Sequence, residues 1–325
     1  MRLLAAVEDL PGSVAWPVVT VGTFDGVHAG HQRVLAEVVS WARANAGTAV
    51  VVTFRQPPRS VLTAENPPLV TSLAHRLALL ERLGVDACLV LEFTRELAET
   101  TAREFVRRVF VERLHARGVV VGPESAFGRG REGNEEFLRK CAGEFGFEVR
   151  GVPPVIVDGE AVSSSRVRGV VLQGDLERAR KLLGRPFSAC GTVVRGDGRG
   201  RGLGFPTANL QTEPAILPPD GVYVARAILE EEGIPAAASI GTRPTFRREP
   251  AGEEPARVVE IHLVGFDREI YGSRMEVQFL KRLREQRKHE SAEALIAQMK
   301  KDVERVRKYF AGRAESDRDE SRKSP

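Results

Sequence analysis

The sequence predicts an α/β protein in two parts. The first half is expected to be a parallel sheet covered by helices, and the second a small antiparallel barrel with one packed helix. Three observations carry this. β-Branched runs alternate with helix-like stripes up to about residue 183. Short strand-like runs separated by turn residues follow. A single long apolar helical stripe then returns after Ser291. At 325 residues the chain has room for two such units.

In the first half, Pro17–Val21 reads as a buried strand, and Val34, Leu35, Val38 and Val39 give the next segment, His31–Ala42, a helical stripe. Ala49–Phe54 is a second β-branched run. Ser72–Leu83 carries Leu73, Leu77 and Leu80 on one face, with Ser72 as N-cap and Gly84 as stop. Ala87–Phe93 reads as a third strand. Thr101-Ala-Arg-Glu104 is a capping box before Phe105, Val106, Val109, Phe110 and Leu114. Val119–Val121 and Phe147–Arg150 supply two more short strands. This β-α-β-α order predicts a parallel sheet, in which ligands sit beyond the carboxyl ends of the strands.

Gly174–Leu183 reads as a short amphipathic helix, and the pattern changes at Gly184-Arg-Pro-Phe187. Ala189–Val194, Val222–Leu229, Ala236–Ile240, Val258–Val264 and Met275–Phe279 are strand-like, which suggests a barrel. Leu295, Ile296, Met299, Val303 and Val306 form the stripe of a last helix. The expected division is 1–184, 185–311 and a polar, unstructured tail over 312–325.

Hydrophobic residues make up 42% and charged residues 28%, as in ordinary globular proteins. Lys+Arg 48 against Asp+Glu 44 leaves only +4, which argues against a nucleic-acid partner. Cys88, Cys141 and Cys190 are odd in number and far apart, so a reducing cytoplasm is expected rather than a disulfide framework. The apolar start is ended by Glu8-Asp9, and no stretch approaches membrane-span length, so no membrane partner is expected. Self-association is left open.

Four constellations carry chemistry. Gly22-Thr-Phe-Asp-Gly-Val-His-Ala-Gly-His31 lies between a strand and a helix. Glycines allow close backbone approach, a helix N-terminus favours phosphate, and His28 and His31 can follow charge on a phosphoryl oxygen. The bland alternative is two loop histidines bonded to backbone. The second is Ser163-Ser-Ser-Arg-Val-Arg168, in which hydroxyls and arginines either hold phosphate oxygens or form a plain N-cap with solvated cations.

The third is Arg199-Gly-Arg-Gly-Leu-Gly-Phe-Pro-Thr-Ala-Asn209. Thr207 and Asn209, two apart on an extended chain, point the same way and offer hard oxygens to Mg²⁺. The alternative is a glycine-rich hairpin turn. In the fourth, Arg257–Val264, alternation puts Val259, Ile261 and Leu263 on one face and Glu260 and His262 on the other. Glu260 is either a general base or half of a solvent-facing pair.

On these residues, with Gly184-Arg-Pro-Phe187, Leu203–Asn209, Gly241-Thr-Arg-Pro-Thr-Phe246 and Val259-Glu260, the chain resembles the bacterial bifunctional riboflavin kinases/FAD synthetases from about Pro17 to Phe310. The resemblance implies an N-terminal Rossmann-like nucleotidyltransferase domain and a C-terminal riboflavin kinase barrel. It implies that riboflavin is phosphorylated to FMN by ATP and that FMN is adenylated by a second ATP to FAD, with Mg²⁺ as cofactor. Glu260, His28 and His31 take catalytic roles by resemblance. Gly22, Phe24, Gly30, Ser164, Arg166, Arg199, Gly202, Thr207 and Asn209 take ATP or phosphate, with Thr207 and Asn209 on the metal. Arg284 and Phe127 take flavin. The chain departs from the family pattern at Pro57, where a histidine is usual, and at Glu124 and Ser125. Two alternatives follow: a riboflavin kinase with weak or lost adenylyl transfer, and a flavin-binding regulator without turnover.

Overall fold

A computed structural model describes residues 1–4, 15–62, 67–196, 204–242, 257–287 and 290–323. The chain forms two compact units, Met1–Val167 and Arg168–Pro325.

The first unit is built on a six-stranded sheet in the order β1-β4-β3-β2-β5-β6. The strands are β1 (Arg2–Leu4), β2 (Pro17–Val21), β3 (Thr48–Phe54), β4 (Ala87–Leu91), β5 (Gly118–Val121) and β6 (Glu148–Gly151). All pairs are parallel, and Val19 lies between Val50 and Val119. Central strands of such a sheet are buried on both faces, which explains the near-continuous valine runs of β2 and β3. Helix α1 (Ala29–Ala44) follows β2; α2 (Arg59–Leu62) and α3 (Leu73–Arg82) lie between β3 and β4.

Alternate residues of the strands serve the two faces of the sheet, one core on one face and two on the other. Val19, Val21, Val50 and Val52 pack with Phe105, Phe110, Leu114 and Leu138. Val18 and Val120 meet Val34, Val38 and Trp41 of α1, while Val51 and Cys88 meet Leu35, Leu79 and Leu80. Helices therefore cover both faces, as the sequence pattern predicts.

Three elements of this unit differ from expectation. The segment after the Thr101 cap is not one α-helix: α4 (Arg95–Glu99) precedes it, α5 (Ala102–Phe105) is short, and Val106–Arg113 is a π-helix. Helix α6 (Glu135–Phe145) was not anticipated, although its signals are present. Asn134 Oδ1 accepts from Phe137 N at 2.9 Å, and Gly146 ends the helix at φ +74°. Strand β1 is three residues long and pairs on one side only, too short for a periodic signal. A hairpin of β7 (Ile156–Val157) and β8 (Glu160–Ala161) then leads to α7 (Ser164–Gln173), inside which the two units divide.

In the second unit α8 (Leu176–Leu183) packs on β9 (Phe187–Val194) and β14 (Arg274–Arg284). With β10 (Ala208–Thr212), β11 (Gly221–Leu229), β12 (Glu232–Thr242) and β13 (Arg257–Leu263) these strands close a barrel in the order β10-β13-β12-β11-β14-β9. All its pairs are antiparallel. Tyr223, Ala225, Ala236, Ala238, Ile240, Val259 and Ile261 are fully buried. Strand β10 was not among the expected strands, because Ala208-Asn-Leu-Gln-Thr212 lacks a β-branched run. The last helix, α9 (Ala292–Lys323), packs on β11 and β12 through buried Val303 and Val306. It continues past 311, where an unstructured tail was expected. The Ala-, Glu-, Arg- and Lys-containing sequence there has no helix breaker between Gly312 and Pro325.

Candidate active sites

The loop after β2 is folded tightly. Phe24, Gly26 and Val27 have φ of 50°, 81° and 42°. Non-glycine residues in this region cost about 1–3 kcal/mol each, so surrounding bonds must hold them. Asp25, 4% exposed, accepts from Val70 N at 2.9 Å and from Thr71 N at 3.0 Å. Gly26 N donates to Thr71 Oγ1 at 3.0 Å, and Thr53 Oγ1 donates to the Thr23 carbonyl at 3.2 Å.

His28 is the N-cap of α1, its Nδ1 accepting from His31 N at 3.3 Å. This leaves the proton of a neutral His28 on Nε2. The two rings stack, with centroids 3.6 Å apart and planes 16° apart, and Phe24 lies 5.1 Å from the His31 ring. The glycines serve these rings. A Cβ on Gly30 would lie 3.2 Å from the His28 ring, and one on Gly22 would lie 3.2 Å from Phe24. The first turn of α1 carries no acidic residue, so nothing there opposes an anion.

Ser164 Oγ donates to the Asp25 carbonyl at 2.9 Å, tying the start of α7 to the loop. Ser163 is the residue that caps, accepting from Arg166 N at 3.3 Å. The Arg166 guanidinium spans the β7–β8 hairpin. Nη1 donates to the Glu160 and Ala161 carbonyls at 2.8 and 2.7 Å, and Nη2 donates to the Val157 carbonyl at 3.2 Å. Ser125, which departs from the family pattern, closes a turn: its Oγ accepts from Gly122 N at 3.0 Å. Phe127, expected to take flavin, is 8% exposed and packs among Phe105, Phe110 and Phe137.

In the barrel, Asn209 on β10 and Glu260 on β13 are direct cross-strand partners, and Ser239 on β12 faces Glu260 from the other side. Val259 and Ile261 point into the core and Glu260 and His262 to the opposite face, as alternation predicts. Asn209 is nonetheless 6% exposed. Gly196 explains this: a Cβ there would fall 1.9 Å from the Asn209 amide nitrogen, so the backbone lies against the carboxamide. The chain before β10 is fixed by His262, whose Nδ1 is 2.9 Å from the Pro206 carbonyl and whose ring meets Phe205 edge-on. Thr207 follows immediately.

Sequence reasoning missed Ser239 and Gln286. Gln286 Nε2 donates to Ser239 Oγ at 3.2 Å, and its amide lies where a Cβ of Gly241 would be. The Gly241 of the quoted motif was the available signal. Arg284, expected to take flavin, also has a partner in the last helix. Its guanidinium is paired with Asp302 of α9 at 2.8–3.3 Å, and Gln298 Nε2 donates to the same carboxylate at 2.9 Å. It docks a helix, because a carboxylate 3% exposed needs a cation beside it. Arg199 and Gly202 lie outside the described residues.

A parallel α/β unit with stacked histidines at a helix N-terminus, followed by a barrel with an opposed Asn–Glu pair, defines a two-part nucleotide-dependent transferase. The sequence profile of FAD synthetase matches residues 14–166, and that of riboflavin kinase matches residues 183–310. A bifunctional riboflavin kinase/FMN adenylyltransferase of Pseudomonas fluorescens is 36% identical over 96% of this chain and 98% of its own length. The protein of that name from Escherichia coli K12 is 34% identical over 90% and 92%. A crystal structure from Streptococcus pneumoniae, described as a macrolide-efflux protein, superposes with a TM-score of 0.81 at 34% identity, covering 94% of this chain and 99% of that one. Among the described residues no helix is long and apolar enough to cross a membrane.

The chain belongs to the family of bifunctional riboflavin kinases/FMN adenylyltransferases. Its C-terminal part converts riboflavin and ATP to FMN, and its N-terminal part converts FMN and ATP to FAD.

Proposed function

We propose a division of labour among the residues of the two reactions. In the barrel, Glu260 takes the proton of the riboflavin 5′-hydroxyl as that oxygen bonds to the γ-phosphorus of ATP; the bond to the β-phosphate oxygen breaks and ADP leaves. The observation that carries this is the direct pairing of Glu260 with Asn209. Thr207 and Asn209 hold Mg²⁺ with the nucleotide. A hydroxyl and a carboxamide oxygen suit this hard cation, and the space that Gly196 leaves beside the Asn209 amide keeps the donor in place. When bound, the ion neutralises charge on the phosphates.

In the other unit a phosphate oxygen of FMN bonds to the α-phosphorus of ATP and pyrophosphate leaves. His28, His31 and the N-terminus of α1 stabilise charge on the transferring phosphate, with Gly22, Phe24 and Gly30 shaping the loop. Ser164 positions that loop, and Arg166, held on the β7–β8 hairpin with Glu160 beside its guanidinium, is assigned to phosphate at the start of α7. Arg199 and Gly202 are assigned to ATP in the kinase half. The functional halves run 1–184 and 185–311. Three free, buried cysteines support a cytoplasmic location.

Chromatography of products tests the roles. With riboflavin, ATP and Mg²⁺, Glu260→Gln should stop FMN formation while added FMN still becomes FAD. His31→Ala should do the reverse. FMN made at the wild-type rate by Glu260→Gln would remove Glu260 as the base.

A further inference from the structure

Arg76 is among the largest fully buried side chains, 1% exposed, and neither reaction described above uses it. It sits on α3, one turn after the Ser72 cap, whose Oγ accepts from His75 N at 3.1 Å. Its Nη1 donates to the Thr23 carbonyl and its Nη2 to the Phe54 carbonyl, both at 2.6 Å. Phe54 ends β3, and Thr23 is the second residue beyond β2. One planar guanidinium thus bridges the carboxyl ends of the two central strands, the edge where such sheets bind ligands.

Arg76 Nε is buried and has no partner among the described atoms. Burial depresses the Arg76 pKa, and the negative charge of Asp25 opposes this. Asp25 is already committed to the Val70 and Thr71 amides, so it is shared rather than dedicated. A buried cation costs several kcal/mol to desolvate. Two carbonyls could be bridged by a neutral amide at lower cost. A positive charge at this edge does more: it favours a polyanion in the loop above.

We propose that Arg76 is a positioning residue for adenylyl transfer. It fixes Thr23, and with the Asp25 anchors it sets the path of Phe24–Val27 and so the place of His28 and His31. Small displacements of transferring groups have large effects: about 1 Å can cost roughly 10²-fold in rate. The inference rests on the role given above to His28 and His31.

The test uses the full-length protein. Arg76→Met keeps the aliphatic stem and removes both donors; Arg76→Lys keeps the charge and reaches one carbonyl at a time. The expected result is a fall in kcat for FAD formation of about 100-fold in Arg76→Met, partly recovered in Arg76→Lys. KM for FMN should change far less than kcat. Riboflavin phosphorylation and the circular dichroism spectrum should be unchanged. Wild-type kcat in either folded variant overturns the proposal. So does failure of both to fold, which would make Arg76 a structural residue only. His31→Ala separates the layers: full FAD synthesis there removes the reading of the loop, whereas its loss beside an unaffected Arg76→Lys removes only the role of Arg76.

Discussion

Asn209 and Glu260 face each other directly across the β10–β13 pair. Opposed residues in an antiparallel ladder have Cβ atoms about 5 Å apart and leave the sheet on one face. A carboxamide oxygen and a carboxylate are therefore held at one place by backbone hydrogen bonds rather than by loop conformation. In the proposed kinase reaction Glu260 would meet the hydroxyl there, with Asn209 on the side of the nucleotide.

Gly196→Ala tests that arrangement without touching either residue. Its Cβ would fall within 1.9–3.0 Å of the Asn209 carboxamide, so Asn209 must move. Losing one hydrogen-bond-sized interaction, about 1–1.5 kcal/mol, corresponds to roughly a tenfold rise in KM for ATP in riboflavin phosphorylation. FAD formation from FMN should be unchanged in the same preparation. A kinase reaction with unaltered ATP dependence would show that Asn209 does not contact the nucleotide.

Arg284 gives a second test, because two roles predict different readouts. Removing the cation in Arg284→Met leaves the buried Asp302 carboxylate with the Gln298 amide. Breaking such a pair is expected to cost about 3 kcal/mol and to loosen α9. Denaturant unfolding and amide exchange in α9 measure it. A large rise in KM for riboflavin with unchanged stability would instead support the flavin role that the family resemblance implies.

Local signals were legible in the sequence, whereas partnerships between distant segments were not. The two-unit architecture was legible because valine runs and turn spacing report burial and strand length directly. The turn that carries His28 and His31 and the strand that carries Glu260 were legible because glycine spacing and strict alternation report local backbone geometry. The contacts of Arg284, Phe127 and Arg76 were not legible, since their partners lie far away in sequence. Phe127 joins an aromatic cluster assembled from three other segments, and Arg76 meets Thr23 and Phe54 from 53 and 22 residues away. Helix α6 was missed despite its cap because only Leu138 and Cys141 are buried on it, which leaves a thin stripe.

Asp86 predicts an acid-sensitive contribution to stability. Burial alone would raise its carboxyl pKa. The hydrogen bond from Arg43, the Ala49 N–H and the Arg43 charge outweigh burial and carry the pKa below the usual carboxylate value. A depressed folded-state pKa gives stability that is present above the unfolded value, near 4, and lost as pH falls through the lower folded value. Asp86→Asn should therefore lower Tm at pH 7, by about 1–2 kcal/mol in stability. The gap from wild type should close as pH falls below the unfolded value, near 4, and on through the lower folded one. A gap that widens in acid would contradict the assignment.

Gly30→Ala separates stability from catalysis in the first unit. Gly30 lies in the first turn of α1, where alanine is the better helix former by about 1 kcal/mol. Stability should stay level or rise. The added Cβ, however, would stand 3.2 Å from the His28 ring, which is already stacked on His31 at 3.6 Å. The ring cannot retreat without moving its partner, and Nδ1 would be drawn from the His31 N–H that fixes its tautomer. A displaced phosphate-stabilising donor costs roughly 10²-fold in kcat. FAD formation should fall by about that factor with no loss in Tm, while riboflavin phosphorylation continues at its normal rate. Equal FAD rates in the two proteins would mean that the stacked histidines tolerate displacement, and that the donor to the transferring phosphate lies elsewhere on the loop.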